Sequence, residues 1–204
     1  LTRVVALTML LGIIAWGFHL LELGILTELR SGVTPELVAA FEANTDRMNT
    51  LGVFMILPVI TATVLGFCWI YRASANLWAR KGEELSFSPG GAIGFYFVPI
   101  LNLFMPFQAL KEICGRSAVD ADDGATVSKG LLGLWWFLFL AAWVARLAKN
   151  NLNRHSETIT DFLSANYAAQ AELVFLMPLS VVFLIIVRRV SRLQSLSAAH
   201  SSSR

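Results

Sequence analysis

His19 and Glu22 are the residues of the first apolar run whose types could do chemistry. They stand three positions apart, and on a helix this spacing places both on one face. Ionisable side chains inside a membrane span are functional candidates by default. A metal site needs three or four ligands, and His155 and His200 are expected in a loop and a tail, so we expect no metal there. We expect instead an ion pair at the outer end of the span, in which Glu22 pairs with Arg146.

Cys68 and Cys114 are the two cysteines, and both are expected near the cytoplasmic side. A reducing compartment disfavours a disulfide, so we expect free thiols. The sequence has no phosphate-binding loop, no HExxH, no GxSxG and no nucleotide fingerprint. We therefore expect no enzyme, no catalytic residue, no cofactor and no nucleic-acid partner.

The composition of this chain indicates that it lies in a lipid bilayer. Apolar residues make up 56% and charged residues 15% of its 204 residues, and the mean hydropathy is +0.63. Soluble domains contain about 45–50% apolar and about 25% charged residues. The chain is therefore expected to be an all-α integral membrane protein.

Five apolar runs can be compared with the ~20 residues that a helix needs to cross the hydrocarbon core. They are Val4 to Leu26, Leu51 to Ile70, Ala92 to Leu110, Gly130 to Val144, and Leu173 to Val187. The third run contains two prolines, so the number of spans depends on whether that run crosses.

The distribution of Lys and Arg favours four spans over five, because cytoplasmic loops near spans carry an excess of these residues. If all five runs cross and the N-terminus is inside, seven of the 16 basic residues are cytoplasmic, and the inverted arrangement makes nine cytoplasmic. If the third run enters and leaves on one side, 11 are cytoplasmic and five external. The 11 are Arg3, Arg72, Arg80, Lys81, Lys111, Arg116, Lys129, Arg188, Arg189, Arg192 and Arg204. We therefore expect four spans with both termini in the cytoplasm.

The stretch FVPILNLFMPFQALKEI places Pro99 and Pro106 seven residues apart with Asn102 between them. Each proline removes a backbone donor and disfavours helix at the residue before it. Broken helix at membrane depth occurs only where protein or a wet cavity satisfies the freed groups. We expect a re-entrant or interfacial hairpin over 87–113, in which the Asn102 amide satisfies the freed carbonyls. The alternative is a kinked fifth span.

The segments 4–73 and 130–192 resemble each other, which suggests an internal duplication. Pro58 recurs as Pro178, and TPELVAAFEAN, ending at Asn44, aligns with SETITDFLSAN, ending at Asn166. Each of these segments starts with a hydroxyl residue suited to an N-cap, and apolar positions follow at helical spacing. We expect each to be a short amphipathic helix on the outer face. The alternative is chance similarity of common residues.

The segment from Trp69 to Ile113 resembles the core of a bacterial membrane family known as domain of unknown function 4328. The resemblance rests on Tyr-Arg-x-x-x-Asn, Ser-Pro, Phe-x-Pro-x-x-Asn-Leu-x-x-Pro and Lys-Glu-Ile in this order, which here are Tyr71, Arg72, Asn76, Ser88, Pro89, Phe97, Pro99, Asn102, Leu103, Pro106, Lys111, Glu112 and Ile113. It implies a membrane architecture and a bacterial cytoplasmic membrane, and it implies no catalytic residues.

Polar residues of this segment are candidates for a cytoplasmic cluster. They are Arg72, Asn76, Asn102, Gln108 and Glu112. Such a cluster would bind a lipid headgroup or an anion, or it would be a structural network that ties the hairpin to the bundle.

These patterns predict a single membrane domain over 1–192 and a disordered cytoplasmic tail over 193–204. The expected function is a non-catalytic accessory or scaffold subunit. Its partners would be membrane lipids and other membrane proteins or a second copy of the chain. The alternative is a small transporter or channel whose pathway is lined by the Asn102 hairpin.

Overall fold

The computed structural model describes residues 1–81, 85–121 and 127–202, and within these ranges every regular element is helical. The α-helices are α1 (Thr2–Ser31), α2 (Pro35–Lys81), α3 (Pro89–Gly94), α4 (Met105–Ala121), α5 (Lys129–Arg154) and α6 (Ile159–Ser202). Two 3₁₀ helices, Phe95–Phe97 and Leu101–Leu103, stand between α3 and α4.

Four of these helices, α1, α2, α5 and α6, are long and apolar enough to cross a membrane. The shortest, α5, has 26 residues, which at a rise of about 1.5 Å per residue exceeds the ~30 Å hydrocarbon core. The prediction of an all-α chain with four such helices is confirmed. The third apolar run is divided among α3, the 3₁₀ helices and α4.

The two segments predicted as separate external helices are the first turns of α2 and α6. No proline or glycine stands between Asn44 and Leu51, or between Asn166 and Leu173, so nothing stops each helix from continuing into its apolar run. The predicted cap of α2 is confirmed. Thr34 Oγ1 accepts a hydrogen bond from the Leu37 N–H at 3.3 Å, which is the usual role of an N-cap threonine.

The cap of α6 lies two residues after the predicted one. Thr158 Oγ1 accepts from the Asp161 N–H at 3.3 Å, and the Asp161 carboxylate accepts from the Thr158 N–H at 2.9 Å. This reciprocal pair satisfies backbone donors that the helix itself cannot. Ser156 donates instead to the Leu152 carbonyl at the end of α5, so its prediction as the cap is wrong.

The chain divides into two compact units, and the first comprises Leu1–Ala62 and Leu138–Ser180. Its core contains Leu26, Leu29 and Leu163, packed against partly buried residues of the starts of α2 and α6. Phe41 and Phe162 contact edge to face, with ring centroids 5.6 Å apart. Leu37, Phe41, Ile159 and Leu163 of the two aligned segments therefore pack in this core, whereas Tyr167 is 57% exposed.

The second unit contains 63–137 and 181–202 among the described residues. Here α3 starts at Pro89, and Ser88 Oγ accepts from the Gly91 N–H at 3.1 Å. Helix α3 contacts α4, and the two 3₁₀ helices contact each other. The residues before and after the proline-broken turn therefore pack against each other.

The segment after Arg192 is helical, so the prediction of a disordered tail is wrong for 193–202. Helix α6 ends at Ser202. Leu193, Gln194 and Ser197 are buried, because they continue at helical spacing the face on which Ile186 is buried. Residues 203 and 204 lie outside the described part of the chain.

Candidate functional site

His19 and Glu22 lie on one face of α1, as their spacing predicts. His19 Nδ1 is 3.3 Å from Glu22 Oε2, and the two side chains are 14% and 15% exposed. The pair is therefore shielded by the protein on most sides. Residues of α2 and α6 form hydrogen bonds with this part of α1.

Asn166 of α6 binds both the backbone and the acid of this pair. Its Nδ2 donates to the His19 carbonyl at 3.0 Å and to Glu22 Oε2 at 2.7 Å. Its own Oδ1 accepts from Gln170 Nε2 at 2.7 Å. Asn166 is 3% exposed, and its amide is satisfied at both ends, as a buried amide requires.

Asn44 of α2 binds α1 in a similar way. Its Nδ2 donates to the carbonyl of Phe18 at 3.3 Å, which is the residue before His19. A carbonyl has two lone pairs, so it can accept this bond besides its bond within the helix. Asn44 is fully buried, and its Oδ1 has no hydrogen-bond partner among the described residues. The alignment of the two halves placed Asn44 and Asn166 at equivalent positions and was the signal that could have found them.

Arg146 pairs with Glu172 of α6, so the prediction that it pairs with Glu22 is wrong. Arg146 Nε donates to Glu172 Oε1 at 2.7 Å, and Lys149 Nζ donates to Glu172 Oε2. The side chain of Glu172 is 7% exposed, whereas those of Arg146 and Lys149 are 55% and 28% exposed. Sequence reasoning missed Glu172 and Lys149. The signal for Glu172 was its position directly before an apolar run that begins at Leu173.

Asn76 belongs to a different network from the one predicted. Its Nδ2 donates to Gln194 Oε1 at 3.0 Å. Gln194 Nε2 donates in turn to the Ala73 carbonyl at 2.9 Å and to Ser117 Oγ at 3.1 Å. Helices α2, α4 and α6 are joined by this one amide. Sequence reasoning missed Gln194 because it lies in the segment predicted as disordered.

The remaining members of the predicted cluster are separate from Asn76. Glu112 accepts a hydrogen bond from the Ser86 N–H at 2.8 Å, and Arg72 and Gln108 are exposed. Within the described residues, no hydrogen bond joins any two of the five predicted residues. Glu112 ties the segment before α3 to α4, which is a structural contact.

Asn102 does not satisfy the carbonyls of the broken segment with its side chain, so that prediction is wrong. The carbonyls of Val98 and Ile100, on either side of Pro99, accept from the backbone N–H groups of Asn102 at 2.7 Å and of Leu103 at 3.2 Å, respectively. The short 3₁₀ turn thus satisfies its own backbone. Asn102 Oδ1 is buried and has no partner among the described residues.

The two cysteines differ in their surroundings. Cys68 is exposed on α2 and Cys114 is buried in α4, and both are free thiols. Burial raises the pKa of the Cys114 thiol to about 12, because a low-dielectric environment disfavours the thiolate. Cys114 is therefore a packing residue and a poor nucleophile.

The described residues thus define an all-helical protein with four helices that are able to span a membrane. The family model for a domain of unknown function (DUF4328) matches residues 35–192. The chain belongs to this family, and the predicted resemblance is confirmed. Helix α1 lies outside the matched residues. No curated protein and no solved structure matches the chain.

Proposed function

We propose that this protein is a non-catalytic accessory subunit of the bacterial cytoplasmic membrane that binds other membrane proteins or lipid, with both termini in the cytoplasm. The observation that carries the proposal is the low burial of two candidate spans. In the most apolar 18-residue windows of α1 and α2, 11% of the residues are buried, against 28% in α5 and 22% in α6. The first two spans therefore offer most of their apolar surface to other molecules.

Helix α2 illustrates how wide this surface is. Val53, Phe54, Leu57 and Ile60 are 54–73% exposed, and at about 100° per residue these positions cover a broad arc of the helix. In a membrane such a surface contacts lipid chains or packs against another helix. A wide surface free of polar groups supports association and gives no support to catalysis.

A photo-crosslinking amino acid at position 57 tests this proposal in cells. We expect adducts with other membrane proteins or with lipid at Leu57, and none at Leu132, which is 4% exposed in α5. Extraction in a mild detergent followed by native mass spectrometry would identify what copurifies. A monomer without adducts, bound protein or bound lipid would contradict the proposal.

The broken segment is proposed to enter and leave the membrane on the cytoplasmic side. Phe97, Ile100 and Phe104, in the segment around the two prolines, are 59–73% exposed, and exposed aromatic and aliphatic side chains favour contact with lipid. In a cysteine-free background, single cysteines at 80 and 129 should be labelled from the same side. Labelling from opposite sides would show that the segment crosses.

A small transporter or channel is the second candidate, and the buried oxygen of Asn102 favours it. Irregular backbone at membrane depth is tolerated where it lines a water-filled cavity, and an acceptor without a protein partner is suited to such a lining. Flux of ions or small solutes in proteoliposomes tests this candidate. The control Asn151→Leu lies at an exposed site of α5. Flux that is lost on Asn102→Leu and kept on Asn151→Leu would favour a transporter or channel over an accessory subunit.

A further inference from the structure

We propose that Arg146 and Lys149, positioned by Glu172, form a binding site for a phosphate group, such as that of an anionic phospholipid headgroup. This inference deepens the proposed function and rests on its placement of the chain in a membrane. The site lies entirely within the first unit, between the C-terminal part of α5 and α6.

The charges of the three side chains do not balance. Glu172 Oε1 accepts from Arg146 and Oε2 accepts from Lys149, so one carboxylate faces two cations. Within the described residues, no other carboxylate pairs with either cation. The cluster therefore carries a net charge of about +1, and an additional anion would relieve the repulsion between the two cations.

The donors that remain are those suited to phosphate. Arg146 uses Nε for Glu172, so the N–H groups on its two Nη atoms remain, on a side chain that is 55% exposed. A guanidinium edge matches two phosphate oxygens and forms charge-assisted hydrogen bonds. Because Glu172 already holds the guanidinium in one orientation, less side-chain entropy is lost when the ligand binds.

The position along the chain fits the headgroup level of a bilayer. Arg146 follows the apolar run that ends at Val144, and Glu172 precedes the run that starts at Leu173. Trp143 stands one helical turn before Arg146 and is 37% exposed. Tryptophan and cationic side chains at the ends of spans typically lie at the level of the lipid phosphates.

Thermal unfolding of the full chain in a neutral detergent tests the site. Short-chain phosphatidylglycerol should raise Tm in a saturable way, and phosphatidylcholine should raise it less. We expect Arg146→Gln to weaken the apparent affinity for phosphatidylglycerol about tenfold, which is about 1.4 kcal/mol. Arg154→Gln removes the same charge from an exposed site at the end of α5 and should behave like the wild type.

Three variants separate a loss of phosphate binding from a failure to fold. Arg146→Gln leaves Lys149 on Glu172 and should fold. Arg146→Lys keeps the charge but loses the two-pronged geometry, so its affinity should be intermediate. Equal lipid-induced shifts in wild type, Arg146→Gln and Lys149→Gln would overturn the proposal.

The same unfolding experiment with inorganic phosphate, at matched ionic strength, shows whether the site binds a lipid headgroup or a soluble phosphate compound. If inorganic phosphate stabilises the protein with the same dependence on Arg146, and phosphatidylglycerol does not, the site is assigned to a soluble phosphate compound. Failure of the site and failure of the proposed function are distinguishable. Crosslinks at position 57 without any effect of Arg146 would overturn the site alone.

Discussion

Asn44 and Asn166 donate their side-chain amides to the backbone carbonyls of two consecutive residues of α1, Phe18 and His19. The two asparagines come from α2 and α6, and they hold the equivalent last positions of the two aligned segments. Both are almost fully buried. Helix α1 is therefore bound through its backbone from both α2 and α6, an arrangement that depends little on the side chains at positions 18 and 19.

Asn166→Leu should destabilise the protein more than Asn44→Leu. Asn166 donates to the Glu22 carboxylate and accepts from Gln170, so its loss removes two side-chain hydrogen bonds, at about 0.5–1.5 kcal/mol for a typical bond and more for the bond to the charged group. Asn44 already has an unpaired oxygen, which offsets part of what it contributes. Thermal unfolding in detergent measures the difference. Equal decreases in Tm would show that the bond to Glu22 adds nothing.

Asn102→Leu should leave Tm unchanged or raise it. The substitution removes a buried oxygen that has no partner among the described residues, and a buried unsatisfied polar atom costs about 1–3 kcal/mol. The backbone bonds of the surrounding turn do not involve this side chain. A clear decrease in Tm, with the helical content unchanged by circular dichroism, would show that the amide has a structural partner.

Glu172→Gln should lower the free energy of unfolding by about 2 kcal/mol, since hydrogen bonds to charged groups contribute about 1.5–3 kcal/mol and the exposure of Arg146 reduces the value. The double variant Arg146→Gln/Glu172→Gln should recover part of this loss, because it removes one of the two uncompensated cations. Chemical unfolding in mild detergent would measure both. No recovery in the double variant would mean that the pair is not coupled.

Removal of residues 193–204 should lower Tm, because it deletes the buried Leu193 and the Gln194 amide that joins three helices. Gln194→Leu separates the two contributions, since it keeps apolar packing and loses the hydrogen bonds. Equal stability of the full chain and the longer truncation would restore the interpretation of this segment as a disordered tail.

Cys114 should resist thiol reagents in the folded protein. Burial raises the pKa of its thiol to about 12, so almost all of the thiol stays protonated even at pH 9, and its labelling should be slow at both pH 7 and pH 9. A membrane-permeant maleimide in detergent should label Cys68, which is exposed. Peptide mass spectrometry distinguishes the two sites, and labelling after unfolding in SDS confirms that both are free. Rapid native labelling of Cys114 would indicate that α4 opens.

Several features of the fold could be predicted because they depend on neighbouring residues along the chain. Hydropathy over about 20 residues identified the four candidate spans, and the two prolines identified the place where the third apolar run breaks. The spacing of His19 and Glu22 predicted that they share a face. The Thr34 cap followed from a hydroxyl residue placed before a proline and an acid.

Other features required the positions of distant residues in space. Arg146 has acids before and after it in the sequence, and only the packing of α5 against α6 decided that Glu172 and not Glu22 is its partner. Gln194 stands in a polar segment of the sequence. It is buried because it lies on the same face of α6 as the buried Ile186. The sequence by itself determined which four apolar runs form long helices, because hydrogen bonds within a helix and transfer into a bilayer are local properties. The tertiary structure decided which polar groups meet, because each side-chain hydrogen bond requires two helices to approach in one register.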